Sequence, residues 1–462
     1  MTKALTSPTT YRQDIRSDID GPDTSTLASR LLELAEVDDD EYWSFIGRGD
    51  RDYLHGLMRY PAMMVPHLQR ELMQACVEWD NSIDRIYDPF VGSGTVMTEA
   101  MLLGRSFVGT DINPLAVLLC RAKSEYLDAA ALSRDLARLL ADLDNDRNDA
   151  VDVTFPNMTK WFEPHVLIGL ARLRRAILNR PYGRTRRFWW VVLAEVIRLA
   201  SNSRTSTVKL HKRPEIEIAN RPDPVARFKE VALQSIDLVA AQEVELLARG
   251  HLDGARYTRE LEIAVADACE HRIEPADLLV SSPPYGDNHT TVTYGQASFL
   301  AMQWIPTADI GDRIDSALFA STHATDTASL GGSRRDALPH LERLLDRSAS
   351  LRNTFDKLQD QPRDRRVRVA AFFRDFDLAL DTIVGNLRDG AVMVWTVGDR
   401  SVGGQRIPLT DALEELLGSR ASCVTRLSRA IPASTKRMPT RNSVTDTMAA
   451  ETILVLRKEK TD

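Results

Sequence analysis

The chain has 462 residues with 43% hydrophobic and 27% charged, a globular composition that excludes wholesale disorder and fibrous repeats and suits one large elaborated domain or two to three ordinary ones. No 18-residue apolar run exists, the first 40 residues carry no secretory signal, and Cys76, Cys120, Cys269 and Cys423 form no CxxC, so the sequence reads as a soluble protein of a reducing cytoplasm with no membrane partner. The net charge of −7 is unevenly spread: Arg172 to Arg213 holds twelve Lys/Arg and one acid (Glu195), a local net of +11 that leaves −18 for the rest.

Residues 1–26 read as a disordered arm, and helical periodicity starts near Leu27. Seven short β-rich runs follow: Ile83–Tyr87, Ser106–Thr110, Leu261–Ala266, Leu278–Ser281, Ala391–Val397, Ser422–Ser428 and Thr452–Leu456. The early runs alternate with helical stretches Val96–Leu103 and Leu115–Tyr126, the rhythm of a parallel α/β sheet. The last two have no helical segment between them and predict an antiparallel hairpin at the sheet edge. Two segments break the alternation. Residues 127–256 are largely helical and carry the basic block; residues 305–366 are polar and charged. Both read as insertions on one sheet. The division is then 27–126 for the first part of the core, 257–304 for the middle part, and 367–462 for the last. A basic block in an acidic chain is either a footprint for phosphates or a solvated helix face.

The first strand runs into Asp88-Pro-Phe90-Val-Gly92-Ser-Gly94-Thr95, which opens a helix. Two glycines there allow a tight turn and close approach to a ligand. The GK[ST] ending of a phosphate loop is absent, and Met97 stands where the dinucleotide fingerprint has its third glycine. Such a loop suits an adenosine carrying a carboxylate-bearing amine rather than a pyrophosphate. The second strand ends in Gly109-Thr-Asp111-Ile112-Asn-Pro114. An acid at that position is where doubly wound folds hold ribose hydroxyls, and Asp-Ile-Asn-Pro is equally good helix-capping chemistry.

A further apolar strand runs straight into Ser282-Pro283-Pro284-Tyr285. The prolines fix the backbone, and the turn falls at the carboxyl end of a parallel strand, in the crevice where α/β folds bind ligands. A hydroxyl, a fixed carbonyl and a ring can hold a planar base bearing an exocyclic amine: Ser282 and the Pro283 carbonyl would accept the amine protons, and Tyr285 would stack.

DPFVGSGT, GTDINP and SPPY together resemble the amino-methyltransferases of DNA, which use S-adenosyl-L-methionine. His55 to Pro66, containing Tyr60, resembles the segment that helps cover the cofactor in that family, and Val265-Ala-Asp267-Ala268 resembles the third-strand acid near the adenine. Trp395 to Arg400 and Lys436 to Asn442 resemble a later core strand and a hairpin near the target base. The resemblance spans residues 55–458 without explaining either insertion. It implies a Rossmann-like methyltransferase sheet, with cofactor contacts at Tyr60, Asp88, Phe90, Gly92, Gly94, Thr95, Asp111, Ile112 and Asp267. In this family the tetrapeptide usually begins with Ser for cytosine N4 and with Asp or Asn for adenine N6, so Ser282 points to cytosine. The cofactor half precedes SPPY here, unlike the permuted order common among SPPY enzymes. The tRNA guanine methyltransferases usually read GTGS and DPPYG instead.

The implied function is N4 methylation of cytosine in duplex DNA, as the modification half of a restriction or phage-defence system with a cognate nuclease as partner. The alternatives are adenine N6 methylation, an RNA base, or an idle fold that only binds nucleic acid. The target base must leave the helix to be reached. No catalytic cysteine and no metal are expected. Within the basic block, Arg184, Arg186, Arg187, Arg204, Lys209, Lys212 and Arg213 are the candidate DNA contacts. Trp189 and Trp190 read as core of the insertion, and His211 as a phosphate or backbone contact rather than a base.

Overall fold

The computed structural model describes residues 23–36, 42–45, 51–125, 128–311, 314–431 and 450–460. The seven runs expected as strands are the seven strands of one sheet: β1 (Arg85–Asp88), β2 (Ser106–Asp111), β3 (Leu261–Val265), β4 (Ala276–Ser281), β5 (Leu387–Val397), β6 (Ala421–Ala430) and β7 (Ala450–Lys458). Their order is β6-β7-β5-β4-β1-β2-β3. Strands β3, β2, β1, β4 and β5 pair in parallel, whereas β7 runs antiparallel between β5 and β6. The closing hairpin therefore lies at the sheet edge, as the missing helix between the last two runs predicts.

The inner strands are apolar on both faces because both faces are covered, whereas the edge strands β3 and β6 are partly exposed. Ile86, Leu278, Val280, Val392, Val394, Ile453 and Val455 enter one core; their alternates Tyr87, Leu279, Met393, Trp395, Leu454 and Leu456 enter the other. The first core is closed by α1 (Thr24–Glu36), α2 (Pro66–Trp79), α3 (Thr95–Leu102) and α4 (Pro114–Glu125). Helix α1 begins slightly before Leu27, and residues 1–22 of the expected arm fall outside the described residues. The stretch Lys436 to Asn442 also lies outside them.

The helical insertion extends this same core. It contains α5 (Ala129–Asn145), α6 (Pro164–Leu178), α7 (Arg184–Ala200) and α8 (Pro224–Ala248). Helix α7 is its hub, with Phe188 to Leu193 fully buried and packed against α4 and α8. Trp189 and Trp190 are core residues, and each indole N–H has a buried carboxylate partner. Trp189 donates to Asp135 at 2.7 Å and Trp190 to Asp309 at 2.8 Å. Asp309 belongs to the second insertion, so Trp190 ties the two insertions together.

The second insertion crosses the molecule. Its short helix Thr307–Ile310 meets α4 and α7 on the first face. Helices α9 (Ala337–Arg347) and α10 (Ala349–Lys357) lie in the second core with α11 (Arg363–Gly385) and α12 (Leu409–Leu417). Among the described residues no helix is long and apolar enough to cross a membrane.

Trp190→Phe keeps most of the apolar contact but leaves the buried Asp309 carboxylate with only Arg186, at 3.5 Å. A buried acceptor losing its donor costs about 1–3 kcal/mol. Urea denaturation should show a loss of that size; an unchanged midpoint would show that Asp309 does not depend on the indole.

Candidate active site

The loop after β1 turns because Gly92 and Gly94 both take left-handed backbone, at φ 48° and 74°. Gly94 caps α3, and a Cβ there would lie 2.8 Å from Cys120 Sγ. The buried Lys123 ammonium supports the loop from below, donating to the Ser93 carbonyl at 2.7 Å; burial brings it down to about 8.

Two carboxylates frame this loop. Asp88 Oδ1 accepts the Phe90 N–H at 3.0 Å and the Ser281 hydroxyl at 2.7 Å, joining the end of β1 to the end of β4. Its other oxygen is buried without a hydrogen-bond partner among the described residues. Burial pushes the Asp88 carboxyl up to about 7. Asp111 Oδ2 accepts the Gly92 N–H at 2.9 Å and Oδ1 the Asn113 N–H at 2.8 Å, while burial raises it to about 6. Asp111 therefore does cap the turn into α4, and its carboxylate also faces a cleft.

That cleft lies at the carboxyl ends of β1, β2, β3 and β4. It gathers Tyr60, Phe90, Gly92, Asp111, Ile112, Asp267, Ser282 and Pro284 from segments far apart in sequence. Asp88 and Thr95 lie beneath it, fully or almost fully buried, and Gly94 and Pro283 are likewise not in its wall. Tyr285 is not in the wall either: its ring packs against the second core, and its hydroxyl donates to Glu451 at 2.9 Å, 3.3 Å from Ser282 Oγ. A stacking platform is thus not what this geometry offers at Tyr285.

The sequence reading missed several wall residues. Asn288 and Tyr294 follow the SPPY turn, and Thr325 and Ala328 to Leu330 come from the second insertion. Tyr294 stacks on Tyr60, with ring centroids 5.7 Å apart, and Asn113 donates to the Tyr60 hydroxyl at 3.0 Å. The aromatic Tyr294 next to the motif was a readable signal; the insertion's contribution is long-range and had none.

Beyond Tyr60 a second cleft is lined by Arg59, Arg198, Arg204 and the hydroxyls of residues 203 and 205–207. Arg204 and Lys209 are exposed on this loop, as is Arg184 at the start of α7. Other cations of the block have internal work. Arg186 donates to the Leu178 and Arg180 carbonyls at 2.9 and 2.8 Å, closing the end of α6. Arg187 pairs with Glu125 at 2.6 Å, Lys212 with Glu215 at 2.6 Å, and Arg213 with Glu217 at 2.9 Å. His211 is exposed, and its backbone carbonyl accepts the Arg204 N–H.

The Asp88 geometry fixes a pH dependence. Its folded value is raised above the unfolded one, so between about pH 5 and 7 the folded state holds a proton the unfolded state releases. Stability contributed by this group should fall by about 1.4 kcal/mol for each pH unit gained in that window. Unfolding free energies of the wild type and Asp88→Asn across it should differ by that slope, and parallel curves would contradict it.

A family model described as DNA methylase, of the N6/N4 type, matches residues 40–120, the stretch holding Tyr60, the glycine loop and Asp111. The Type II methyltransferase M.MvaI of Kocuria varians is 28% identical over 446 residues, covering 91% of this chain and 94% of that protein. The Type II methyltransferase M.MjaII of Methanocaldococcus jannaschii is 31% identical over 88 residues, 19% of this chain and 16% of that one. The rRNA methyltransferase aviRa from Streptomyces viridochromogenes overlaps 86% of each chain at a TM-score of 0.32 and 12% identity, a likeness that carries no functional weight. A methylase model lying over the glycine loop and its acid, and a relative aligned along nearly its full length, place this chain in the family of DNA amino-methyltransferases.

Proposed function

We propose that this DNA methyltransferase acts on the exocyclic N4 amine of cytosine in duplex DNA, as the modification partner of a nuclease that cuts the same sequence. The observation that carries the reading is the convergence of Ser282, the first residue of the tetrapeptide, with Asp111 and Phe90 on one cleft.

S-adenosyl-L-methionine fits the donor set of that cleft. Asp111 offers a carboxylate for ribose hydroxyls, Phe90, Ile112 and Leu330 offer apolar walls for a base, and Asn288 Oδ1 is buried without a hydrogen-bond partner among the described residues. When bound, the cofactor supplies a methyl group on a sulfonium. Tyr60, Gly92 and Asp267 complete its proposed contacts, whereas Asp88, Gly94 and Thr95 act beneath the cleft by shaping the loop.

The protein's own contribution is to orient the amine and its lone pair. Tyr285 gives its proton to Glu451, so its oxygen is free to accept from the Ser282 hydroxyl. Ser282 then keeps its lone pairs for an amine proton, whereas Pro283, buried and outside the wall, stiffens the turn that presents it. Accepting a hydrogen bond from the amine draws its nitrogen toward a tetrahedral, more nucleophilic state. Tyr285 serves as a positioning residue in this chain of hydrogen bonds. Arg204 and Lys209, exposed on the loop at the second cleft, are the cations placed to meet phosphates.

The experiment is methyl transfer from labelled S-adenosyl-L-methionine onto matched cytosine-only and adenine-only target duplexes, followed by nucleoside mass spectrometry. Label in N4-methylcytosine is expected, and Ser282→Ala should slow single-turnover transfer roughly 10- to 100-fold with cofactor affinity nearly unchanged. Label in N6-methyladenine would overturn the cytosine reading, and an unslowed Ser282→Ala would remove the tetrapeptide from the chemistry.

A further inference from the structure

One cluster of side chains beside the cleft has no task in methyl transfer. His289 follows the SPPY turn, while His323 and Asp326 flank the first turn of the short helix Ala324–Ala328 in the second insertion. The fold brings one ligand atom from each of the three to within 4.8 Å of the others. The two imidazole rings lie 6.0 Å apart between centroids. Among the described residues neither imidazole has a hydrogen-bond partner.

Asp326 is fully buried. Its Oδ1 accepts the Gly295 N–H at 2.9 Å, but Oδ2 is buried with no hydrogen-bond partner among the described residues. A carboxylate oxygen withdrawn from water without a donor or cation is costly to keep. The backbone is arranged to hold it there nonetheless: a Cβ on Gly295 would lie 3.1 Å from Oδ2 and 2.9 Å from the Thr322 carbonyl. The neighbouring Asp287 is not available as a fourth ligand, since Arg400 pairs with it at 3.2 Å.

We propose that His289, His323 and Asp326 bind a divalent transition-metal ion of the zinc class, which fastens the chain after the SPPY turn to the second insertion. Two imidazoles and one carboxylate are a borderline-soft donor set suited to Zn²⁺, Co²⁺ or Fe²⁺ rather than to Mg²⁺ or Ca²⁺. Tetrahedral zinc with bonds of about 2.0–2.1 Å spaces its ligand atoms roughly 3.3 Å apart. The present spacing is wider, and His323, exposed on its helix, is free to turn inward. Three protein ligands leave a fourth position for water. The Gly295 N–H fixes the carboxylate from behind, as outer-shell donors do at metal sites. Asn288 and Thr325, each adjacent in sequence to a ligand, are both in the wall of the methyl-transfer cleft. The ion would therefore pin that wall from its outer side. The sequence reading expected no metal because the ligands are far apart along the chain and follow no ligand spacing.

The test uses the full chain without an affinity tag, stripped with EDTA and then titrated with ZnCl₂ by calorimetry and with CoCl₂ by visible absorption. One equivalent should bind at micromolar concentration or tighter, and cobalt should give the visible bands of a low-coordinate site. His323→Ala removes only a surface side chain; it should weaken binding roughly 10-fold or more, as should Asp326→Asn, while His211→Ala leaves it unchanged. Zinc should raise the melting temperature of the wild type by more than that of His323→Ala. Absence of saturable binding, or equal affinity in His323→Ala and Asp326→Asn, would reduce the cluster to a polar contact. None of these readouts involves methyl transfer, so the metal site stands or falls apart from the proposed reaction.

Discussion

Two carboxylates at the ends of adjacent parallel strands, Asp88 fully buried and Asp111 half-buried at the cleft, set the shape of this edge of the protein. Asp88 binds the ends of β1 and β4 into one platform through the Phe90 N–H and the Ser281 hydroxyl. Asp111 clasps the glycine loop to the end of β2. Burying a carboxylate is unfavourable, and here the backbone donors offset only part of that, which is why both titrate well above the ordinary range. Their burial is tolerated because it fixes four backbone segments relative to one another. Once these are fixed, the cleft, the direction of the SPPY turn and the left-handed glycines follow. Ligand binding at the carboxyl ends of parallel strands is the general habit of open α/β sheets.

The sheet was legible because its inner strands are covered on both faces. Residues such as Ile86 and Tyr87 go to opposite cores, so the runs are continuously apolar and stand out from the helices. The glycine loop, Asp111 and SPPY were legible because each is local chemistry: a turn that needs positive φ, an acid before a proline, a rigid Pro-Pro turn. Long-range pairing was not legible. Charge counting could not tell Arg204, which is exposed, from Arg186, which closes α6 through two carbonyls. Nor could the tetrapeptide reveal that Glu451, on β7, takes the Tyr285 hydroxyl and turns a stacking ring into a hydrogen-bond relay.

The two insertions are parts of the same packed body as the sheet. Helix α7 fills the first core with two tryptophans whose N–H groups need Asp135 and Asp309. The second insertion reaches from Asp309 on that face to α9 and α10 on the other, and on its way supplies Thr325 and Leu330 to the cleft wall. The catalytic edge is thus completed by a segment with no counterpart in the motifs. Changes in that segment would alter the cleft without touching any motif residue.

The central claim is that the carboxylate of Asp111, besides clasping the loop, faces the bound cofactor. Titration of S-adenosyl-L-methionine into the wild type and Asp111→Ala tests it directly, with circular dichroism to verify that both are folded. Losing a charge-assisted hydrogen bond is worth roughly 1.5–3 kcal/mol, so affinity should fall about 10- to 100-fold. A folded Asp111→Ala that binds the cofactor as tightly as the wild type would confine Asp111 to the turn and contradict this account of the cleft.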